Sequence, residues 1–158
     1  MFYNGILGLH SLLRWAIIIL LLINISRSIL NKKRPYSKQD RNWNFRLIVI
    51  THINFLIGLY QYFFGAKGYE LIKTWGMSDV MKDSFKRFWA IEHITGMLIA
   101  VILITIASSI SKKAFDDDAK KHNKLACFYI IALVIIIAVV PWPFRHLLGE
   151  TPLFRSLY

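Results

Sequence analysis

Long apolar runs alternate with short polar, mostly basic stretches along the whole chain. Four runs, at about 4–28, 43–64, 88–110 and 125–140, carry the pattern. At 1.5 Å per residue, ~20 apolar residues in a helix cross a hydrocarbon layer of ~30 Å, so each run predicts a membrane-spanning helix. The third, FWAIEHITGMLIAVILITIASSI from Phe88 to Ile110, is the clearest. Punctuation between the runs agrees. Asn4 is a candidate N-cap for the first span, and Arg27 marks its far end. The second ends in Tyr60, Tyr62, Phe63 and Phe64, which suit a membrane interface, and is broken by Gly65 and Gly68. The fourth stops at Pro141, Trp142 and Pro143, because proline cannot extend a helix cheaply. A short interfacial helix is expected at 77–88, capped by Ser78, and the tail 141–158 should lie along the surface.

Composition makes a lipid solvent necessary. Hydrophobic residues are 56% and aromatics 15% of the 158 residues, and mean hydropathy is +0.45, too apolar for a soluble domain of this size. A net charge of +11 in a soluble protein would suggest nucleic acid. Here Lys and Arg collect between the apolar runs, so lipid headgroups and the positive-inside rule explain them and no nucleic-acid partner is expected. Residues 27–46 carry seven basic residues against Asp40 alone. Counted as Lys and Arg, loops one and three hold twelve and loop two with the tail seven, which puts loops one and three in the cytoplasm and both termini outside. With no repeat and no linker, the expected fold is all-α: one four-helix up-down transmembrane bundle over 1–158. The N-terminus lacks a basic region and a cleavage site, so it is read as a retained span. Lys120, Lys121 and Lys124 read as a solvated charge run.

Ionisable residues inside the spans are the candidate chemistry. Each costs roughly 2.5–3.5 kcal/mol or more if it faces lipid, so each should face protein, water or a cofactor. His10 and Arg14 share one face of the first span at i, i+4, and Glu92 and His93 open the third. From the helix rise, His10 and His93 both lie ~9 Å from the outer surface, while His52 sits roughly 10 Å deeper. In an up-down bundle spans one and three are diagonal, about 13 Å apart, a separation across which two inward imidazoles can coordinate one iron, with a haem edge-on between them. Cys127 is the sole cysteine, so a CxxCH haem attachment is absent and any metal must be held by His, Met or carboxylate.

Gly96 and Ala100 follow His93 at i+3 and i+7, leaving space for a flat macrocycle or for a closely approaching helix. Arg14 suits Glu92 or a haem propionate, since a guanidinium binds either carboxylate in bidentate fashion. Plain alternatives stand beside these readings. Arg14 and Glu92 can be a buried structural pair. His52 can be a helix-to-helix hydrogen bond as readily as a ligand, a proton relay or part of a quinone site. His122 and His146 read as ordinary interfacial residues.

The segments LHSLLRW (Leu9 to Trp15), THINFLIGLYQYF (Thr51 to Phe63), MKDSFKRFWAIEHITGMLIAVILITI (Met81 to Ile106) and PWPF (Pro141 to Phe144) resemble a group of short bacterial four-span proteins catalogued as cytochrome b or cytochrome-b-like. The resemblance implies histidines of functional weight at His10, His52 and His93, beside Arg14, Trp15, Trp89 and Glu92. It also implies one b-type haem, electron transfer, and a place in the bacterial inner membrane among other membrane subunits or a redox partner. A weaker resemblance runs to the four-helix halves of haem A synthase. The main respiratory cytochrome b pattern, two pairs of histidines holding two stacked haems, is not met, so at most one haem is expected. The contrasting expectation is a non-catalytic accessory subunit whose intramembrane His, Arg and Glu residues form a structural network. A lipid-level enzyme acting on a quinone or a haem is a third.

Overall fold

A computed structural model describes residues 2–142, and every element among them is helical. Five helices follow in order: α1 (Phe2–Leu30), α2 (Lys38–Phe64), α3 (Tyr69–Lys82), α4 (Ser84–Lys112) and α5 (Asp118–Val139). Four of them, all but α3, are long and apolar enough to cross a membrane. The chain is therefore a multi-pass membrane protein in contact with the lipid bilayer. Its outward side chains agree: Leu12, Ile19, Phe45, Leu56, Ile102 and Val134 are among many large apolar residues left exposed. Aliphatic surface of this extent suits lipid and would be a liability in water.

The spans contact one another in a ring, α1 with α2, α2 with α4, α4 with α5 and α5 with α1, which leaves α1 diagonal to α4. Leu21, Leu47, Ile104, Leu125 and Ile136 fill the interior. Ala100, Ala107 and Ala132, all buried, hold the α4–α5 contact close, as small residues do where no hydrophobic force drives helices together.

Helix boundaries differ from the sequence expectation wherever a capping group lies beyond the apolar run. α2 starts at Lys38, five residues before 43, because Ser37 and Asp40 form a capping box at its N-terminus. α4 starts at Ser84, with Asp83 accepting from the Lys86 N–H as its cap. α5 starts at Asp118, where Asp117 Oδ1 accepts from the amides of Ala119 and Lys120. Asn4 lies inside α1 and caps nothing there. The helix expected at 77–88 is present in part: α3 runs from Tyr69, breaks at Gly76, where φ is +74°, and resumes only as far as Lys82, after which Asp83 caps α4. Ser78 falls within α3.

Two polar layers tie one end of the bundle together. Asp40 is buried and receives Arg27 Nε at 2.9 Å and Arg34 Nη1 at 2.7 Å, so one carboxylate faces two guanidiniums and the first loop is clamped onto α1. One layer deeper, Tyr129 Oη donates to Asn44 Oδ1 (2.7 Å), and Asn44 Nδ2 donates to Ser111 Oγ (2.9 Å) and Ser108 Oγ (3.2 Å), joining α2, α4 and α5. Lys121 and His122 correct the surface reading: both are buried. Lys121 Nζ donates to the Lys113 carbonyl at 2.8 Å and lies 4.2 Å from the Tyr36 ring centre, so its charge is satisfied beneath the loop. The expected tail from 143 onward, with His146, lies outside the described residues.

Candidate functional site

At the opposite end the four spans part around a cavity of about 370 Å³. Its volume is within the range of ~300–1,000 Å³ usual for small-molecule and cofactor sites. Both His10 from α1 and His93 from α4 line it, as do Arg14, Thr51, Asn54, Gly58, Lys67, Trp89, Met97 and Ala100. The diagonal helices thus bring the two histidines to one cavity.

The α4 side is built by backbone geometry. Residues Phe88–Glu92 form a single π turn, whose extra residue shifts the register of α4 immediately before His93. Tyr62 Oη, reaching from α2, donates to the Ala90 carbonyl inside that turn at 3.0 Å. His93 Nδ1 lies 2.7 Å from the carbonyl oxygen of Val139 on α5. A carbonyl can only accept, so Nδ1 carries the proton and Nε2 keeps a lone pair, the form a metal requires. Phe88 and Trp89 pack on the same ring, with centroids 5.9 Å away in each case.

Gly96 makes this contact possible. A Cβ built at Gly96 would lie 2.5 Å from Val139 Cγ1, so the glycine serves the close approach of α5 and leaves no slot for a macrocycle. Of the two uses the spacing allowed, the structure takes helix packing.

The α1 side is looser. The His10 ring packs against Gly58, where a Cβ would stand 3.2 Å from His10 Cε1. His10 Nδ1, Thr51 Oγ1 and Asn54 Oδ1 are all buried and none has a hydrogen bond of good geometry within the protein. The residues line the cavity, but these three atoms are covered by their neighbours, with the His10 ring lying beside Asn54. Arg14 Nη2 donates to Ser11 Oγ at 3.1 Å, and Lys67 Nζ lies 4.3 Å from the Trp89 ring centre, so two cations border the same space.

Two expected site residues stand apart. Glu92 is paired with Arg87 at 2.7 Å and is exposed, which corrects the Arg14–Glu92 pairing: with the π turn in place, the neighbour five residues back reaches Glu92 first. His52 does not line the cavity. Its Nδ1 donates to the Ile48 carbonyl at 2.8 Å, one turn back, and its Nε2 lies 3.4 Å from Thr105 Oγ1 on α4. Thr105 Oγ1 gives its own proton to the Val101 carbonyl at 2.7 Å, so His52 is placed against α4 and away from the cavity, its one short hydrogen bond being within α2.

Residues the sequence reading passed over are those of α2. Thr51, Asn54 and Gly58 recur at i, i+3 and i+7, one face of a helix, and that spacing of polar and small residues within an apolar run was the available signal. Among the described residues no group of three or more His, Cys, Asp or Glu side chains gathers to hold a metal ion. Comparison of the chain with protein-family models, curated proteins and solved structures finds no match to any of them.

Proposed function

We propose that the chain is a small integral membrane electron carrier of the cytochrome-b-like type, holding one b-type haem between His10 and His93. The observation that carries this reading is a cavity bordered by two imidazoles from diagonal helices, one with its Nε2 lone pair set by the Val139 carbonyl and the other lying beside Asn54. Two imidazoles without a third His, Cys, Asp or Glu beside them among the described residues would suit an iron that arrives already bound in a porphyrin. The residues present fit that group. Met97, Ala100 and Ile104 give apolar walls, and Arg14 and Lys67 supply charge suited to propionates. When bound, the haem would supply one-electron chemistry; His10 and His93 would hold it, and the apolar walls would exclude water.

The contacts between helix ends support an up-down bundle. Gln61 of α2 meets Ile6 of α1, Arg27 meets Asp40, and His93 meets Val139. With the Lys and Arg bias of loops one and three, we place both termini on the outer side of a bacterial inner membrane, and the cavity in the outer half. The partners we propose are other membrane subunits or a redox protein, with a quinone as a further candidate.

A second reading, that of an accessory subunit without cofactor, is favoured by one observation: His52 and Gly96 stand outside the cavity, His52 bonded to its own helix and Gly96 packed against Val139. A reduced-minus-oxidised optical spectrum of the membrane-extracted protein separates the two. We expect a low-spin haem alpha band that disappears in His10→Ala and in His93→Ala. A band retained in both variants, or absent from the wild-type protein expressed with haem supply, overturns the carrier reading.

A further inference from the structure

The end of α5 explains why a backbone carbonyl is available to His93. In a continuing helix the carbonyls of Ile137 and Val139 would accept from the amides of residues 141 and 143. Both positions are proline, which has no N–H. Pro141 also drives the residue before it into extended backbone. Val140 has φ −74° and ψ 135°, and the helix stops at Val139. The Ile137 and Val139 carbonyls are therefore left without a main-chain amide of a further turn. Side chains take both: Trp142 Nε1 donates to Ile137 O at 2.7 Å, and His93 Nδ1 donates to Val139 O at 2.7 Å.

We propose that the Pro141-Trp142-Pro143 terminus, together with Gly96, is a positioning device that fixes the tautomer and orientation of the His93 ring. Proline four residues after Val139 leaves no amide there to compete for its carbonyl, Pro141 ends the helix, and Gly96 lets α5 come close enough for that carbonyl to reach the ring. Nδ1 then keeps its proton and Nε2 its lone pair before any ligand arrives. Trp142 extends the device across the bundle: its ring meets Trp15 edge-on at 5.9 Å, next in sequence to Arg14, so the histidine-aiming end of α5 is anchored on the helix that carries His10. Ring orientation by an outer hydrogen bond is how a ligating histidine is held ready and made more basic.

The inference rests on the proposed ligand role of His93 for its purpose, but its test needs no haem. Protein labelled with ¹⁵N-histidine, prepared haem-free in nanodiscs, reports the tautomer of each ring through its two nitrogen shifts, with His93 assigned by its loss in His93→Gln. The wild-type protein should show His93 almost wholly as the Nδ1–H form, the opposite of the free side chain's preference in water. Replacing both prolines, Pro141→Ala with Pro143→Ala, allows α5 another turn and a competing amide; Gly96→Ala pushes Val139 away while leaving the helix end intact. Each should convert at least a tenth of the His93 population to Nε2–H, with the His52 signal, held by Ile48, as the internal standard. A wild-type His93 that is mainly Nε2–H overturns the inference, as does a wild-type pattern unchanged in both variants. Absence of a haem band with the Nδ1–H form intact overturns the haem reading alone.

Discussion

Gly58 and Asn44 show how single residues divide the bundle into an open half and a closed one. At Gly58 the missing side chain lets the His10 ring lie against α2 and leaves the cavity unfilled. Gly58→Leu should fill that space and displace His10, abolishing haem binding while helicity is kept, because glycine is roughly 1 kcal/mol worse than an ordinary helix former in a helix interior. Haem content and far-UV circular dichroism on one preparation check it; full haem retention contradicts it. At Asn44 the side chain bonds Tyr129, Ser108 and Ser111, so Asn44→Ala orphans a buried phenol. Interhelical hydrogen bonds in membranes average about 0.6 kcal/mol, which puts the loss of this group at about 1–3 kcal/mol. An unfolding midpoint in SDS equal to wild type would refute that. His10, Arg14 and His93 could be picked out in the sequence because charge is expensive in lipid. The Val139 carbonyl could not, since backbone groups carry no sequence label; only the two prolines hinted that it would be left over.

Among the elements, spans were legible from hydropathy and their ends were not. Apolar runs end where the side chains turn polar, whereas helices end where the last amide or carbonyl is satisfied, and at α2 and α4 the cap lies several residues outside the run. The π turn at Phe88–Glu92 was invisible for a related reason: a one-residue shift leaves the apolar pattern almost intact, yet it re-aims His93 and hands Glu92 to Arg87. The first loop offers a graded test. Ser37→Ala removes one cap interaction and should cost about 1 kcal/mol. Asp40→Ala removes the box and strands Arg27 and Arg34. Because those guanidiniums are 22% and 33% exposed they can recover some water, so we expect about 2–3 kcal/mol, below the ~3–5 of a fully buried broken pair. Equal midpoints for the two variants would contradict this order.

At the scale of the whole molecule, the fold splits its labour between two ends. The end closed by Asp40, Asn44 and Tyr129 is knitted by hydrogen bonds and ion pairs across α1, α2, α4 and α5, while at the other the spans part. Most polar groups at the closed end are satisfied internally, His122 with two buried ring nitrogens that lack a hydrogen bond of good geometry being the exception, and the other end holds the cavity. Which end faces the cytoplasm follows from charge, and it can be measured. In a Cys127→Ser background, Lys33→Cys should react with a membrane-impermeant thiol reagent only after cells are permeabilised, and Asp79→Cys should react in intact cells. The reverse pattern would invert the proposed topology.

Titration of purified haem-free protein with haemin asks whether His10 and His93 share one ligand. Saturation at one haem per chain with a six-coordinate low-spin spectrum is expected, and loss of that spectrum in the His10→Ala, His93→Ala double variant. Non-saturating uptake, or the same low-spin spectrum in the double variant, would contradict a shared ligand.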